Sequence, residues 1–504
     1  MMGIRQAQKD LFSYNIDLDK RVRKGNPLRA IAERIDFTFV RQEVAAQYGY
    51  NGNVSEDPAV ILKMMFLLFY DDVSSERELM RIIAERMDYL WFLGYRLDDE
   101  IPDHSVLSKA RQRWGVEVFQ RFFVQIIGQC VAAGLVDGKK IHMDGSLIAA
   151  NASKDSVVKG SPEWIAALKA AYESVENKLD EAMSRPSDYE RENKSLVSTS
   201  DPDAAVVRRG RMESRPRYKN HRVIDNAQGV ITAVETTSGD VEENAKLMDL
   251  VEQHEANTQI KVAAVIADKQ YGTAENFRAC HERGIRSHMA DLQAARRGTG
   301  RSNGLYTDTD FVYDAGSDTY RCPAGQILTR RKHKKKRKAF EYAAARTVCR
   351  TCDLRLKCTR AACGAARTLK RHYNQEAINV AKHESQSQEA KRDRLRRKWM
   401  VEGSFADAAN NFGFKRARWR RLWRQRIQDY LIAAIQNIRI LIRQGERCRN
   451  AAIMAVLQPI SRIYSAVLII IDGLFASIRD LGCFWFPKRR LLPDPVFLVR
   501  KYCK

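Results

Sequence analysis

The order of hydrophobic and polar residues predicts a helical region at the start of the chain. In residues 1–136 apolar side chains recur at helical spacing, most clearly in "SSERELMRIIAERMDYLWFLG". Ser75 and Glu78 form a capping box at the start of this segment. The apolar residues expected on one face of its helix are Leu79, Ile82, Ile83, Met87 and Leu90. We therefore expect an all-helical first domain.

The pattern changes at about residue 137. Short β-branched runs, "GVITAVETT" and "IKVAAVIADKQYG", alternate with helical segments such as "TAENFRACHERG" up to about residue 300. This alternation is typical of an α/β domain with helices packed on a sheet. A charged stretch near residues 178–222 interrupts it, and its composition predicts a surface loop.

The remaining chain divides into three parts. The predicted domains are 1–136, 137–300, 301–370, 371–445 and 446–504. Residues 301–370 carry a basic run and most clustered cysteines, which indicates an inserted module, and 371–445 are helical and Arg-rich. The last part matches neither pattern. Its apolar stretch, residues 464–478, is short for a membrane span and contains Asp472, so no membrane partner is expected.

Charge and cysteine content narrow the possible partners. A formal net charge of +24 and a pI near 9.6 favour a polyanion, nucleic acid first and an anionic membrane surface second. The N-terminus lacks the apolar core of a signal peptide, so we expect a cytoplasmic protein. In a reducing compartment, clustered cysteines are read first as metal ligands.

Three acidic residues are candidates for a metal site. Asp144 and Asp268 each follow an apolar run, and on adjacent strands their mutual repulsion would be relieved by Mg²⁺ or Mn²⁺. Glu402 lies in a predicted helix, where Leu395, Trp399 and Phe405 would pack against a sheet and Glu402 would share their side. Two cations held by carboxylates support phosphodiester cleavage. The alternatives are turn or cap roles for the aspartates and a solvated helical acid at 402.

The cysteines suggest a second metal site. Cys349, Cys352, Cys358 and Cys363 follow the spacing C-x2-C-x5-C-x4-C, and Cys322 lies upstream in "RCPAG". Four thiolates suit tetrahedral Zn²⁺. We predict Cys322, Cys349, Cys352 and Cys358 as ligands, with Cys363 as the alternative; unligated thiols are the competing interpretation.

Two basic segments are candidate DNA contacts, because lysine and arginine neutralise phosphates without reading sequence. They are "RRKHKKKRK" at 330–338 and "KRARWRRLWRQR" at 415–426. The predicted DNA-binding residues are Lys334, Lys335, Lys336, Arg397, Lys398, Arg418 and Arg420. Trp419 and Trp423 would either stack on distorted DNA or pack in the core, and a lysine-rich loop is also compatible with a solvated surface.

An ordered set of motifs carries a family resemblance. In chain order they are "IPDHSVLSKARQRWG", "HMDGSLIAANASK", "TSDPDAA", "YKNHRVID", "AVIADKQYG", "RCPAG", "CRTCDLRLKC" and "RRKWMVEGSFADAANNFGFKRARWR" followed by "IQNIRILI". With these motifs the chain resembles DDE transposases of bacterial insertion sequences, of the eleven-eighty-two type.

The resemblance implies an RNase H-like mixed sheet flanked by helices, with Asp144, Asp268 and Glu402 as the catalytic carboxylates. It also implies double-stranded DNA as substrate, Mg²⁺-dependent cleavage and strand transfer, and a homo-oligomer on DNA. Where the broad class has Tyr, Arg and Lys around the glutamate, this chain has Leu395, Lys398 and Ala409. A nuclease without strand transfer and a catalytically decayed DNA-binding protein are the alternatives.

Overall fold

The computed structural model describes most of the chain up to residue 444. The described residues are 3, 17–49, 54–177, 196–208, 213–290, 304–335, 338–361 and 365–444. The chain separates into two compact units, residues 1–438 and 439–504. Of the second unit only residues 439–444 are described, and they are helical. No helix in the described part is long and apolar enough to cross a membrane.

The described chain combines helices with two sheets. The helices are α1 (Leu18–Arg21), α2 (Pro27–Arg34), α3 (Phe39–Val44), α4 (Pro58–Tyr70), α5 (Glu76–Glu85), α6 (Met87–Leu93), α7 (Ser105–Ala132), α8 (Pro162–Asn177), α9 (Leu247–Thr258), α10 (Ala274–Glu282), α11 (Arg346–Arg350), α12 (Arg355–Cys358), α13 (Gln375–Gln386) and α14 (Gln388–Asn411). Residues 422–444 are also helical. The strands are β1 (Lys140–Ala149), β2 (Val157–Lys159), β3 (Leu196–Ser198), β4 (Ala205–Val207), β5 (Arg215–Asp225), β6 (Ile231–Ser238), β7 (Ala264–Ile266), β8 (Arg286–Ser287), β9 (Val312–Asp314), β10 (Thr319–Arg321), β11 (Ile327–Lys334), β12 (Ala339–Ala343) and β13 (Thr368–His372).

The N-terminal region is helical, as predicted, but one predicted helix is two. Ser75 caps α5 by accepting the N–H of Glu78 at 3.2 Å. The chain then leaves helical geometry at Arg86, whose guanidinium pairs with Asp71 and Asp88. After this break Met87 is 49% exposed. The prediction that Met87 lies on the buried face was therefore wrong, because the apolar periodicity restarts after Arg86.

The larger sheet is mixed. Its central strands run in the order β6-β5-β1-β7-β8. Strand β1 is antiparallel to β5 and parallel to β7, and β7 is parallel to β8. The short strands β2, β3 and β4 extend the sheet from the first part of β5. Residues 178–222 were predicted to be a surface loop, but their described part contains β3, β4 and most of β5. Strand β5 is almost entirely buried.

The two faces of β1 pack against different helices, since successive side chains of a strand point to opposite faces. Ile141 and Met143 belong to a core shared with α9, α10 and α13. On the other face lies α14, whose Asp393 pairs with Lys140 Nζ at 3.0 Å and accepts from His288 Nδ1 at 2.7 Å. Helix α14 is thus fixed on the sheet at the start of β1.

The second sheet is antiparallel, in the order β13-β12-β11-β10-β9, and lies within residues 312–372. Its small core contains Phe311, Tyr320, Leu328, Tyr342 and Leu369. Most of β11 is exposed. The basic run, residues 330–338, begins within β11 and not in a loop, because residues 330–334 pair with β12.

Candidate active site

Asp144 lies on β1, and Asp268 follows the end of the adjacent parallel strand β7. His142 of β1 is opposite Ile266 of β7, and each aspartate follows two residues later. Burial raises the pKa of Asp144, and the negative charge of Asp268 raises it further. Strands β1 and β7 are adjacent, which is the arrangement that the two-aspartate hypothesis requires. Strand β1 continues to Ala149, so Asp144 lies within its strand and not at the end.

Arg397 supplies the cation that partly compensates Asp144. Its Nη1 donates to Asp144 Oδ2 at 2.6 Å, and the two side chains are 13% and 23% exposed. The other carboxylate oxygen, Oδ1, accepts the N–H of Gly145 at 2.8 Å. The guanidinium opposes the effect of burial and lowers the pKa of Asp144, although the pKa stays above its usual value.

For Asp268 the sequence allowed either a capping role or a role as metal ligand, and its place in the structure is compatible with both. It starts a short 3₁₀ turn, Lys269–Tyr271, and its Oδ1 accepts the N–H of Lys269 at 2.7 Å. It also lies close enough to Asp144 to affect the pKa of that residue. A capping contact and a place in a carboxylate pair are therefore compatible at Asp268.

The structure does not bring Glu402 to this pair. The buried side of α14 is formed by Ala390, Asp393, Met400, Val401, Phe405 and Ala408. Glu402 is exposed, about 140° around the helix axis from Arg397 at 3.6 residues per turn. Leu395 and Trp399 are 71% and 65% exposed, so the prediction that they pack against the sheet was wrong. Within the described ranges, no group of three or more His, Cys, Asp or Glu is arranged to hold a metal ion.

Two neighbours of the aspartate pair were missed by the sequence analysis. Glu243 lies against Gly145, where an added Cβ would come 2.9 Å from Glu243 Cγ. Tyr271 ends the turn that Asp268 begins and is fully buried. The tyrosine could have been noticed in "ADKQYG", but nothing around Glu243 in the sequence connects it with Asp144.

Arg222 links β5 to the helices beside this site. It lies directly opposite Asp144 in the β1–β5 register and is fully buried. It donates to Ser404 Oγ at 2.9 Å and to Gln436 Oε1 at 3.1 Å, and its guanidinium lies over the ring of Phe405 at 4.2 Å. Burial lowers the pKa of Arg222 to about 10, against the opposing charge of Asp429.

The four cysteines predicted as zinc ligands line one cavity beside the second sheet. They are Cys322, Cys349, Cys352 and Cys358. Burial raises the pKa of Cys349, and the charges of Cys322 and Cys352 raise it further. The thiols are thus neighbours, although their described conformations do not form a closed ligand set. Cys363 lies outside the described residues.

The residues predicted to contact DNA have different environments. Lys335 and Lys398 are exposed, and Lys334 is paired with Glu341 at 3.5 Å. Arg420 is exposed and donates to the carbonyl oxygen of Asn151 at 3.2 Å. Lys336 lies outside the described part of the chain.

Arg397 and Arg418, by contrast, are held inside the protein. The guanidinium of Arg418 is paired with Asp72 and lies over Phe69 at 5.0 Å. Trp419 packs edge-on against Phe69 at 5.5 Å, which agrees with the core alternative for this tryptophan. Neither arginine presents a free charge to a phosphate in this conformation.

Two segments of the chain match models of known protein families. Residues 16–113 match a family model described as "Transposase domain (DUF772)", and residues 321–442 match one described as "Transposase DDE domain". No curated protein matches the chain. A cryo-EM structure of a piggyBac transposase synaptic complex with hairpin DNA aligns at 10% identity over 83% of this chain and 81% of that chain. Its TM-score of 0.25 does not establish a common fold.

Proposed function

Because the chain belongs to the DDE transposases, we propose that Asp144, Asp268 and Glu402 hold the divalent cations, Mg²⁺ or Mn²⁺, with which it cuts and joins DNA. The observation that carries the proposal is the position of Asp144 on β1 and of Asp268 just after β7, each two residues beyond the paired His142 and Ile266. Members of this family generally use divalent metals. We further propose the eleven-eighty-two-type insertion-sequence group, on the basis of the ordered motifs.

The topology of the larger sheet supports an RNase H-like catalytic domain. Three antiparallel strands, β6, β5 and β1, are followed by β7 and β8 parallel to β1. This arrangement places the end of β7 beside the middle of β1, where two acidic residues can share a ligand. The proposal assigns the first carboxylate to β1, the second to the turn after β7 and the third to α14.

The residues around Asp144 fit a cation. A buried carboxylate with a raised pKa, next to a second carboxylate, favours a positive partner, and the Arg397 guanidinium already contributes one. Bound cations would activate the attacking oxygen and stabilise the leaving oxygen of a phosphodiester. In the proposal Arg397 releases Asp144 when the site is loaded, and Glu402, which is exposed and away from the pair in this conformation, reaches the cations through a change in the position of α14.

The reaction is tested with the full chain and DNA that carries the sequences flanking its gene. With Mg²⁺ we expect nicks at the element ends, followed by joining of the freed 3′ ends to target DNA. Cleavage without joined products would indicate a plain nuclease. Binding without cleavage would indicate a decayed DNA-binding protein and would contradict the proposed activity.

We propose that the exposed strand β11 binds DNA phosphates. Lys334 ends this strand and pairs with Glu341, and Lys335 follows it; exchanging both exposed lysines for alanine removes two positive charges. Each phosphate contact contributes about 0.9 to the slope of log K against log salt concentration. We expect weaker binding to all DNA sequences and a slope reduced by roughly 2. Fluorescence anisotropy across a salt series measures both quantities.

Lys261→Ala provides the control for this experiment. Its side chain is 87% exposed on the other sheet domain, beside Glu255. The single variant removes one exposed lysine outside β11 and should leave the salt slope unchanged. An unchanged slope in the β11 variant, or an equal fall with Lys261→Ala, would remove β11 from the DNA contacts.

We also propose that the four-cysteine cavity binds one structural Zn²⁺, since four adjacent thiols are a suitable donor set. Elemental analysis of the purified chain should give about one zinc per chain. Cys352→Ser should abolish the bound zinc and lower the melting temperature. Cys280→Ala is the control: Cys280 is buried in the core of the larger sheet and should leave zinc content unchanged. Zinc retained by Cys352→Ser would exclude this cavity as the site.

The proposal includes an assembly. Transposition joins two element ends to one target, so we propose a homo-oligomer bound to DNA in the cytoplasm, associated with the nucleoid. The helical residues 1–136 are proposed to bind the element ends, and part of this region matches a transposase domain model.

A further inference from the structure

Tyr271 has an unused hydroxyl group beside the aspartate pair. Its side chain is 0% exposed, and among the residues that the structure describes the hydroxyl has no hydrogen-bond partner. Leaving a buried polar group unpaired costs about 1–3 kcal/mol. The backbone N–H of Tyr271 donates to the carbonyl oxygen of Asp268 at 3.0 Å, so the turn holds the ring in place. The hydroxyl is therefore fixed in position without a bond of its own.

Three carboxylates act electrostatically on Tyr271. After burial, the charges of Glu243, Asp144 and Asp268 each raise the pKa of Tyr271, and Arg397 lowers it. Glu243 lies against Gly145, the residue that follows Asp144. Acidic groups from three separate segments of the chain thus influence this tyrosine.

Another fully buried tyrosine in the same sheet domain behaves differently. Tyr218 on β5 is also 0% exposed, but its hydroxyl donates to Asp201 Oδ1 at 2.6 Å. A tyrosine that only filled space would be replaced by phenylalanine without loss, and with relief of the unpaired hydroxyl. The hydroxyl of Tyr271 is best explained by a partner that becomes available in another state of the site.

We propose that Tyr271 is a positioning residue of the cation site. Its hydroxyl donates to one of the surrounding carboxylates when a divalent cation draws them together, and so fixes the orientation of that carboxylate. The inference rests on the proposed role of Asp144 and Asp268 as cation ligands. Partners that orient metal ligands typically contribute about 10–100-fold to metal affinity.

The experiment measures Mn²⁺ binding to the full chain, by electron paramagnetic resonance of free Mn²⁺, together with the melting temperature. Tyr271→Phe removes only the hydroxyl. We expect its Mn²⁺ affinity to fall at least about 10-fold while the melting temperature stays the same or rises. Tyr218→Phe is the matched control: it loses a buried hydrogen bond, so its melting temperature should fall while Mn²⁺ affinity is unchanged.

Any other result contradicts either the positioning role of Tyr271 or the cation site itself. Wild-type Mn²⁺ affinity in Tyr271→Phe would overturn the positioning role. Loss of folding in this variant would also overturn it, because the hydroxyl would then have a partner in the metal-free chain. Asp144→Asn separates the two proposals: if it binds Mn²⁺ as tightly as wild type, the cation site itself is misplaced. If it does not bind and Tyr271→Phe binds normally, only the role of Tyr271 fails.

Discussion

Asp144→Asn should abolish Mg²⁺-dependent DNA cleavage and leave DNA binding intact. Asparagine keeps the shape of the side chain, and its single oxygen can still accept from Gly145, but it loses the second acceptor, which bonds Arg397, and it has no charge for a cation. Cation catalysis contributes several kcal/mol, so the cleavage rate should fall roughly 10³-fold or more. Single-turnover cleavage of labelled element-end DNA measures the rate, and anisotropy measures binding.

The same substitution at an exposed acid controls for general effects. Asp249 on α9 has a side chain that is 57% exposed and pairs with Lys246. Asp249→Asn should cleave at the wild-type rate. Retained cleavage in Asp144→Asn would refute its assignment as a ligand. If Asp144→Asn failed to fold, the ion pair with Arg397 would be the main role of Asp144.

Arg222→Ala should strongly destabilise the larger sheet. The variant removes the donors to Ser404 and Gln436, and it leaves the fully buried Asp429 without the charge that opposes its desolvation. Removing one partner of a buried charged network costs about 3–5 kcal/mol. Hydrogen–deuterium exchange of the β5 backbone amides should show protection reduced by this free energy.

Two variants distinguish the causes of this loss. Arg222→Met keeps much of the volume beside the Phe405 and Phe414 rings but loses the donors, so it should lose less protection than alanine. Arg420→Ala removes an exposed arginine and should change the free energy of opening by less than about 0.5 kcal/mol. Equal exchange in Arg222→Ala and wild type would mean that Arg222 does not connect β5 with α14.

The sequence predicted those parts of the fold whose signals are local. Apolar runs that end in an acid indicated β1 and β7, and the parallel pairing of these strands brings Asp144 and Asp268 together. The cap at Ser75 was also readable from four neighbouring residues. These features depend on strand and helix periodicity, which a single sequence contains.

Other features depend on distant partners and were not predictable. Strand β5 looks polar because it contains Asn220, His221 and Arg222, all of which are fully buried. Some of their polar atoms bond to residues far away in the chain; Arg222 bonds Gln436, 214 positions away. On α14 the exposed Leu395 and Trp399 suggested the wrong packing face, because the true face includes the charged residues Asp393 and Arg397. A helix face that is buried through ion pairs contains charged residues, so the hydropathy of the sequence does not indicate that the face is buried.

The bond between Asp144 and Arg397 also has a consequence during synthesis of the protein. The two residues are 253 positions apart, so a growing chain on the ribosome carries the first aspartate long before the arginine exists. Strand β7 and α14 must emerge before the acidic pair gains its counter-charge. Because the contacts that assemble the site are this distant in sequence, an incomplete chain lacks an organised centre for cutting DNA. Nascent fragments released early should therefore be inert toward the genome that encodes them.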